Sequence, residues 1–199
     1  MSRPLGERLE AQAFYLDTRG GAVLCWWHAP QQQAVSHPVL MCPTWGDEEI
    51  GAYGGWRALA QSLAGQGVPV LRLDLPGEGD SLDRAANQAC WSAWLDALED
   101  VAAAVCQVTA SRHLHLLGLR LGALLAAQLA DRLRRRSGSV GVASLLLLAP
   151  VASGRAFLTE IAAGASATQG DTAGGGGSFR RASAGFRAPS GAIPALAAL

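Results

Sequence analysis

Two glycines bracket an arginine in Gly118-Leu119-Arg120-Leu121-Gly122. The layout is that of a nucleophile elbow, G-x-S-x-G, a sharp strand-to-helix turn that presents a serine hydroxyl above the end of a sheet. Such a turn needs glycine on either side of its central residue, where there is almost no room for a side chain. A guanidinium keeps its proton in a protein, so Arg120 cannot act as a nucleophile. The frame of a reactive site is present and its reactive atom is replaced by a fixed positive charge.

The other residues able to do chemistry do not repair the site. A serine triad in elbow-bearing enzymes takes its partners in the order serine, acid, histidine. The four histidines are His28, His37, His113 and His115, none of them after the elbow, and the only acids beyond the strand that follows the elbow helix are Glu160 and Asp171. No catalytic residue is assigned. His113 and His115 read as packing or locally bonded residues of the elbow strand. Cys42 is a conceivable substitute nucleophile, but without an evident histidine partner an inert core thiol is the better reading. Ser81 and Ser153 read as loop or helix-capping serines. Cys25, Cys42, Cys90 and Cys106 have no C-x-x-C spacing, so neither a metal site nor a redox pair is expected. No cofactor is expected either. Gly77-x-Gly79 after a strand invites a dinucleotide reading, but the third glycine is missing and the loop is acidic.

The elements that would position residue 120 follow from apolar spacing. Ala11 to Leu16 and Ala22 to His28 read as antiparallel strands joined at Arg19-Gly20-Gly21. Pro38 to Cys42 is a third strand, followed by a loop from Pro43 to Glu49. Gly54 to Ala64 puts Trp56, Leu59, Ala60 and Leu63 on one helical face. Val68 to Asp74 is a strand, and Trp91 to Cys106 carries Trp91, Trp94, Leu95, Leu98, Val101 and Val105 at helical spacing. Arg112 to Leu117 is the elbow strand, Leu121 to Arg134 the elbow helix, and Ala143 to Ala149 a further core strand. Alternating strands and helices after a hairpin give a mostly parallel sheet with helices on both faces.

Composition narrows the class. Half of the 199 residues are hydrophobic, and 16 basic residues balance 16 acidic ones. That argues for one packed domain and against electrostatic nucleic-acid binding. The N-terminus mixes charges of both signs without an apolar run, unlike a signal peptide. Val140 to Val151 is too short to span a bilayer. A cytoplasmic protein without a transmembrane segment is the expectation. From Gly164 the chain becomes rich in glycine, alanine and serine, so residues 1–163 are expected to form the domain and 164–199 a disordered tail. The abruptness of the change reads as a shift of reading frame or a truncated gene model.

Three segments carry a resemblance. Asp74 to Ser81 (DLPGEGDS) is similar to the D-x-x-G-x-G-x-S loop after the fourth strand of many α/β-hydrolases. The elbow follows with room for one helix and one strand, and Pro150-Val151-Ala152-Ser153-Gly154-Arg155-Ala156-Phe157-Leu158 closes the next strand. Together they resemble the serine aminopeptidase-like α/β-hydrolases, and more closely the hydrolase-like proteins associated with exosortase A systems. In that group proline and threonine (here Pro43 and Thr44) stand where H-G is usual, and the elbow can read G-L-R-L-G-A. The resemblance covers Val39 to about Ile161 and implies an α/β-hydrolase fold, truncated at its C-terminal end, in a lineage that cleaves ester, thioester or amide bonds.

That fold sets the loop after the third strand against the elbow. A cation at a helix N-terminus costs a few tenths to about 1 kcal/mol, so a compensating anion is expected. Asp47, Glu48 and Glu49 are the nearby acids. Arg120 then either forms an internal ion pair that fixes this loop or receives the carboxylate or phosphate of a ligand. In the second case the backbone N–H groups of Leu121 and the Thr44-Trp45 loop, an oxyanion hole in an active relative, would complete the binding site. Two functions follow: a hydrolase completed by another serine or a partner, or a catalytically silent protein binding an acyl or anionic ligand or a protein partner.

Overall fold

The computed structural model of the chain describes residues 11–31, 37–83, 90–136 and 140–170. A hairpin of β1 (Gln12–Thr18) and β2 (Gly21–His28) leads into β3 (Val39–Cys42), α1 (Asp47–Gly65) and β4 (Val70–Leu73). Then follow α2 (Cys90–Val108), β5 (His113–Leu119), α3 (Leu121–Arg135), β6 (Gly141–Leu148) and α4 (Gly154–Gly170). The strands form one sheet in the order β1-β2-β4-β3-β5-β6. β1–β2 and β2–β4 are antiparallel, whereas β3 runs parallel to β4 and β5, and β5 to β6. The mostly parallel sheet covered on both faces is the architecture of an α/β-hydrolase.

Alternation along the strands divides the core in two. On β5, Leu114 and Leu116 join the larger cluster with α2 and α3, while Leu117 joins the smaller one with Trp56 and Ala60 of α1. The helical spacing in α2 does its expected work, since all six of its apolar positions are buried in the larger cluster. Burying a side chain such as Leu98 contributes roughly 1.5–3 kcal/mol.

The structure differs from the expectation at three places. Helix α1 begins at Asp47 rather than Gly54, so the acids expected in a loop form its first turn. Gly51, Gly54 and Gly55 obscure that start because glycine is a poor helix former; here the space around them is open, and the three acids favour the helix N-terminus. Helix α4 continues to Gly170, so the boundary expected at Gly164 falls inside it. The alanine-rich sequence there supports helix better than its low apolar content implied. The remainder of the expected tail, 171–199, lies outside the described residues. The third difference is β6, which has the leucine run of a strand buried on both faces. It stands at the sheet edge instead, with Leu145 to Leu148 each 39–47% exposed.

Candidate functional site at the elbow

The parallel strands deliver three chain reversals to one end of the sheet: after β3, after β4, and at Arg120 after β5. Arg120 has φ 52° and ψ −114°, a left-handed φ that a residue with a side chain adopts only under constraint. The constraint is the close packing of its neighbours. A Cβ on Gly118 would overlap the Gly122 carbonyl oxygen and Ala123 Cα, and one on Gly122 would overlap the carbonyl oxygens of Cys42 and Pro43. The elbow therefore sits directly against the chain leaving β3.

The Arg120 side chain meets two carboxylates. Its Nε donates to Glu48 Oε1 at 2.9 Å, and its Nη2 donates to Glu160 Oε2. The Glu160 hydrogen bond, opposed by burial and supported by Glu48, holds the guanidinium above its ordinary pKa. Glu48 also accepts a hydrogen bond from Thr44 Oγ1 at 3.1 Å. One carboxylate thus bridges the β3 loop, the first turn of α1 and the elbow, and the second turn of α4 supplies the other. Of the four residues expected to form a binding site, Thr44 and Arg120 meet through Glu48. Trp45 is packed between Trp94 and Phe157, with ring centroids 6.1 and 6.2 Å away, and Leu121 is buried.

Beside this ion-pair cluster lies a cavity of about 270 Å³, lined chiefly by Thr44, Trp45, Glu49, Asp74, Leu75 and Glu78. Arg120 and Leu121 do not line it. Sequence reasoning missed this cavity because Glu49 and Asp74 come together only through the pairing of β3 with β4. Burial, then the charge of Asp74, pushes the Glu49 carboxyl up to about 7, against a backbone hydrogen bond from Thr44. Asp74 is likewise raised by burial, although its carboxylate accepts from the Asp80 N–H at 2.9 Å. The walls are mainly apolar and the ionisable groups are acids that resist ionisation, an arrangement that suits an uncharged guest better than an anion.

The remaining expected chemistry resolves into structure. Burial pushes the Cys42 thiol up to about 12, which leaves no thiolate to attack. Ser81 donates to Asp74 O at 2.9 Å and accepts from Leu24 N at 2.8 Å, pinning the loop after β4 to the hairpin. Ser153 accepts from Ala156 N at 3.1 Å and caps α4. His28 is buried beneath the sheet surface, where its Nε2 accepts from Arg72 Nε at 3.1 Å. His37 and His115 contact serines, Ser111 and Ser144, but at the opposite ends of the strands from Arg120.

Comparison with known proteins agrees with this fold. Residues 46–170 match the family described as serine aminopeptidase, S33. No curated protein matches the sequence. A lidless serine hydrolase from Xanthomonas campestris superposes with a TM-score of 0.52 at 23% identity, over 66% of this chain and 60% of that one. A proline iminopeptidase from Mycobacterium smegmatis gives 0.54 at 22% identity, over 79% and 50%. The epoxide hydrolase CorEH gives 0.54 at 17% identity, over 72% and 44%. The chain spans about 60% or less of the length of these structures, and the likeness is one of fold. Among the described residues no helix is long and apolar enough to cross a membrane.

Proposed function

The chain belongs to the serine aminopeptidase family of α/β-hydrolases, and from that membership we propose that it is a catalytically silent member that binds a small, uncharged acyl ligand. The observation that carries this reading is the occupied guanidinium. Arg120 stands where the attacking hydroxyl belongs, and its charge is already answered by Glu48 and Glu160. An anionic ligand would have to displace both carboxylates, so the anion reading of Arg120 gives way to the ion-pair reading. The cavity next to it offers about 270 Å³ bounded by Trp45 and Leu75, with Glu49 about half protonated at pH 7. A protonated Glu49 can donate one hydrogen bond to an acyl oxygen.

Two measurements test the proposal. A fluorophosphonate probe is expected to leave the full chain unlabelled. Butyramide is expected to raise the unfolding temperature at pH 6 and to lose that effect by pH 9, as Glu49 ionises, while butyrate has none. Stoichiometric labelling of a serine, or stabilisation by butyrate alone, would reverse the assignment. A second reading, that another serine supplies hydrolysis, draws on the 2.7 Å contact of His115 Nδ1 with Ser144 Oγ. It requires labelling that Ser144→Ala abolishes. Within the family we assign the chain to the exosortase A-associated proteins, on G-L-R-L-G-A at the elbow and P-V-A-S-G-R-A-F-L after β6. A cytoplasmic location goes with that assignment, and fractionation of the native host checks it.

A further inference from the structure

Met41 of β3 stands in register with Arg72 of β4, so the chains leaving these strands carry Thr44 and Asp74 out at the same end of the sheet. The first turn of α1 brings Glu49 to the same place, and all three residues line the cavity of about 270 Å³. The Asp74 carboxylate is held by one oxygen. Its Oδ2 accepts from the Asp80 N–H at 2.9 Å, and Gly79, at φ 53°, lies so close that a Cβ there would overlap Oδ2 and Cγ. Oδ1 has no hydrogen-bond partner among the described residues. Thr44 Oγ1 gives its single proton to Glu48, so a guest meets only its lone pairs. Two carboxyls that share a mainly apolar cavity do not readily ionise together. Asp74, with an N–H donor on Oδ2, is the one that ionises first; Glu49 keeps its proton up to about pH 7 because of burial and then the Asp74 charge. Arg72 favours the charged form of both acids, and Glu78 is the third acid of the lining.

On the reading that this cavity takes an acyl ligand, we propose that it selects a primary carboxamide over an ester or a disubstituted amide, with Asp74 as the discriminating residue. The wall offers an O–H donor from Glu49 and acceptors from Asp74 and Thr44. A primary carboxamide presents the converse, a carbonyl oxygen that accepts and two N–H groups that donate. An ester satisfies Glu49 through its carbonyl but leaves the Asp74 oxygen, stripped of water, without a donor. Leaving a charged acceptor unmet costs more than one hydrogen bond returns. A carboxylate guest brings a second negative charge beside Asp74, and an ammonium has no lone pair for the Glu49 proton.

Thermal unfolding of the full chain at pH 6, titrated with butyramide, N,N-dimethylbutyramide, methyl butyrate and butylammonium, tests the selection. Butyramide is expected to stabilise the fold, and the two guests with the same acyl chain but no N–H to bind at least about tenfold more weakly. In Asp74→Asn the Asp80 N–H holds the new amide oxygen and turns the NH2 toward the cavity. That variant, its fold checked by circular dichroism, is expected to lose butyramide affinity at least about tenfold and to close the gap to methyl butyrate. The ligand series on the unaltered chain decides the matter even if Asp74→Asn does not fold. Equal stabilisation by butyramide, the dimethylamide and the ester would overturn the selection and leave the acyl reading standing. Stabilisation by none of these three would overturn both. Stronger stabilisation by butylammonium than by butyramide, or unchanged selectivity in a folded Asp74→Asn, would also overturn the proposal.

Discussion

Arg120 combines a strained backbone with a satisfied side chain, and the two have different causes. The left-handed φ belongs to the turn, whose glycines cannot be enlarged; the double ion pair belongs to this chain's own choice of Glu48 and Glu160. A serine at position 120 would leave two carboxylates facing each other without a cation. Because both pairs are partly exposed, Arg120→Ser is expected to cost only about 1 kcal/mol in urea unfolding, and to gain no fluorophosphonate reactivity. Two other side chains make stability depend on pH in opposite directions. His28 is 1% exposed and is depressed to about 4 by burial, then by Arg72 and Arg57. The unfolded chain binds the proton more readily, so stability is full above pH 6.5 and falls as pH drops from 6.5 toward 4. Glu49 is raised to about 7, so the folded state holds its proton more tightly and stability falls as pH rises from 4.5 through 7. Unfolding free energies measured from pH 4 to 8 are expected to lose the acid-side slope in His28→Gln, on the order of 2–3 kcal/mol, and the neutral-side slope in Glu49→Gln.

At the scale of elements, glycine has opposite meanings in α1 and at the elbow. Gly54 has open space around the position of a Cβ, whereas Gly122 abuts two carbonyl oxygens of the chain leaving β3. Gly54→Ala is expected to stabilise by about 0.5–1 kcal/mol, and Gly122→Ala to destabilise by more than about 2 kcal/mol, both read from chemical denaturation. The same residues mark the limits of what the sequence discloses. The elbow was legible because Gly118, Arg120 and Gly122 are local, and α2 because its apolar residues keep one helical period. The first turn of α1 was hidden by three glycines, and α4 by a composition that looks too poor in apolar residues to fold. Residues joined by strand register were beyond reach. His37 is 76 positions from His113, and only the β3–β5 pairing makes them neighbours. Glu49 and Asp74 likewise meet only across β3 and β4.

For the whole molecule, the decisive asymmetry is between its two sheet edges. β1 ends the sheet as the outer strand of an antiparallel hairpin, where exposed Phe14 and Tyr15 are interspersed with polar residues, while β6 ends it with four successive leucines, exposed on both faces. Such an edge offers both unpaired backbone groups and apolar surface. The protein is expected to associate as concentration rises in sedimentation velocity experiments. Leu146→Lys with Leu148→Lys should suppress that association while leaving the far-ultraviolet circular dichroism unchanged.

The meeting of Thr44, Arg120 and Glu160 on or near Glu48 also bears on ancestry. If a guanidinium replaced a hydroxyl here and recruited acids from α1 and α4, a return by one codon would strand those acids. A silent state of the kind proposed would thus be guarded by epistasis: Arg120→Ser combined with Glu48→Gln and Glu160→Gln should be more stable than Arg120→Ser alone. Descent from an active ancestor would then have been easy to travel forward and hard to retrace.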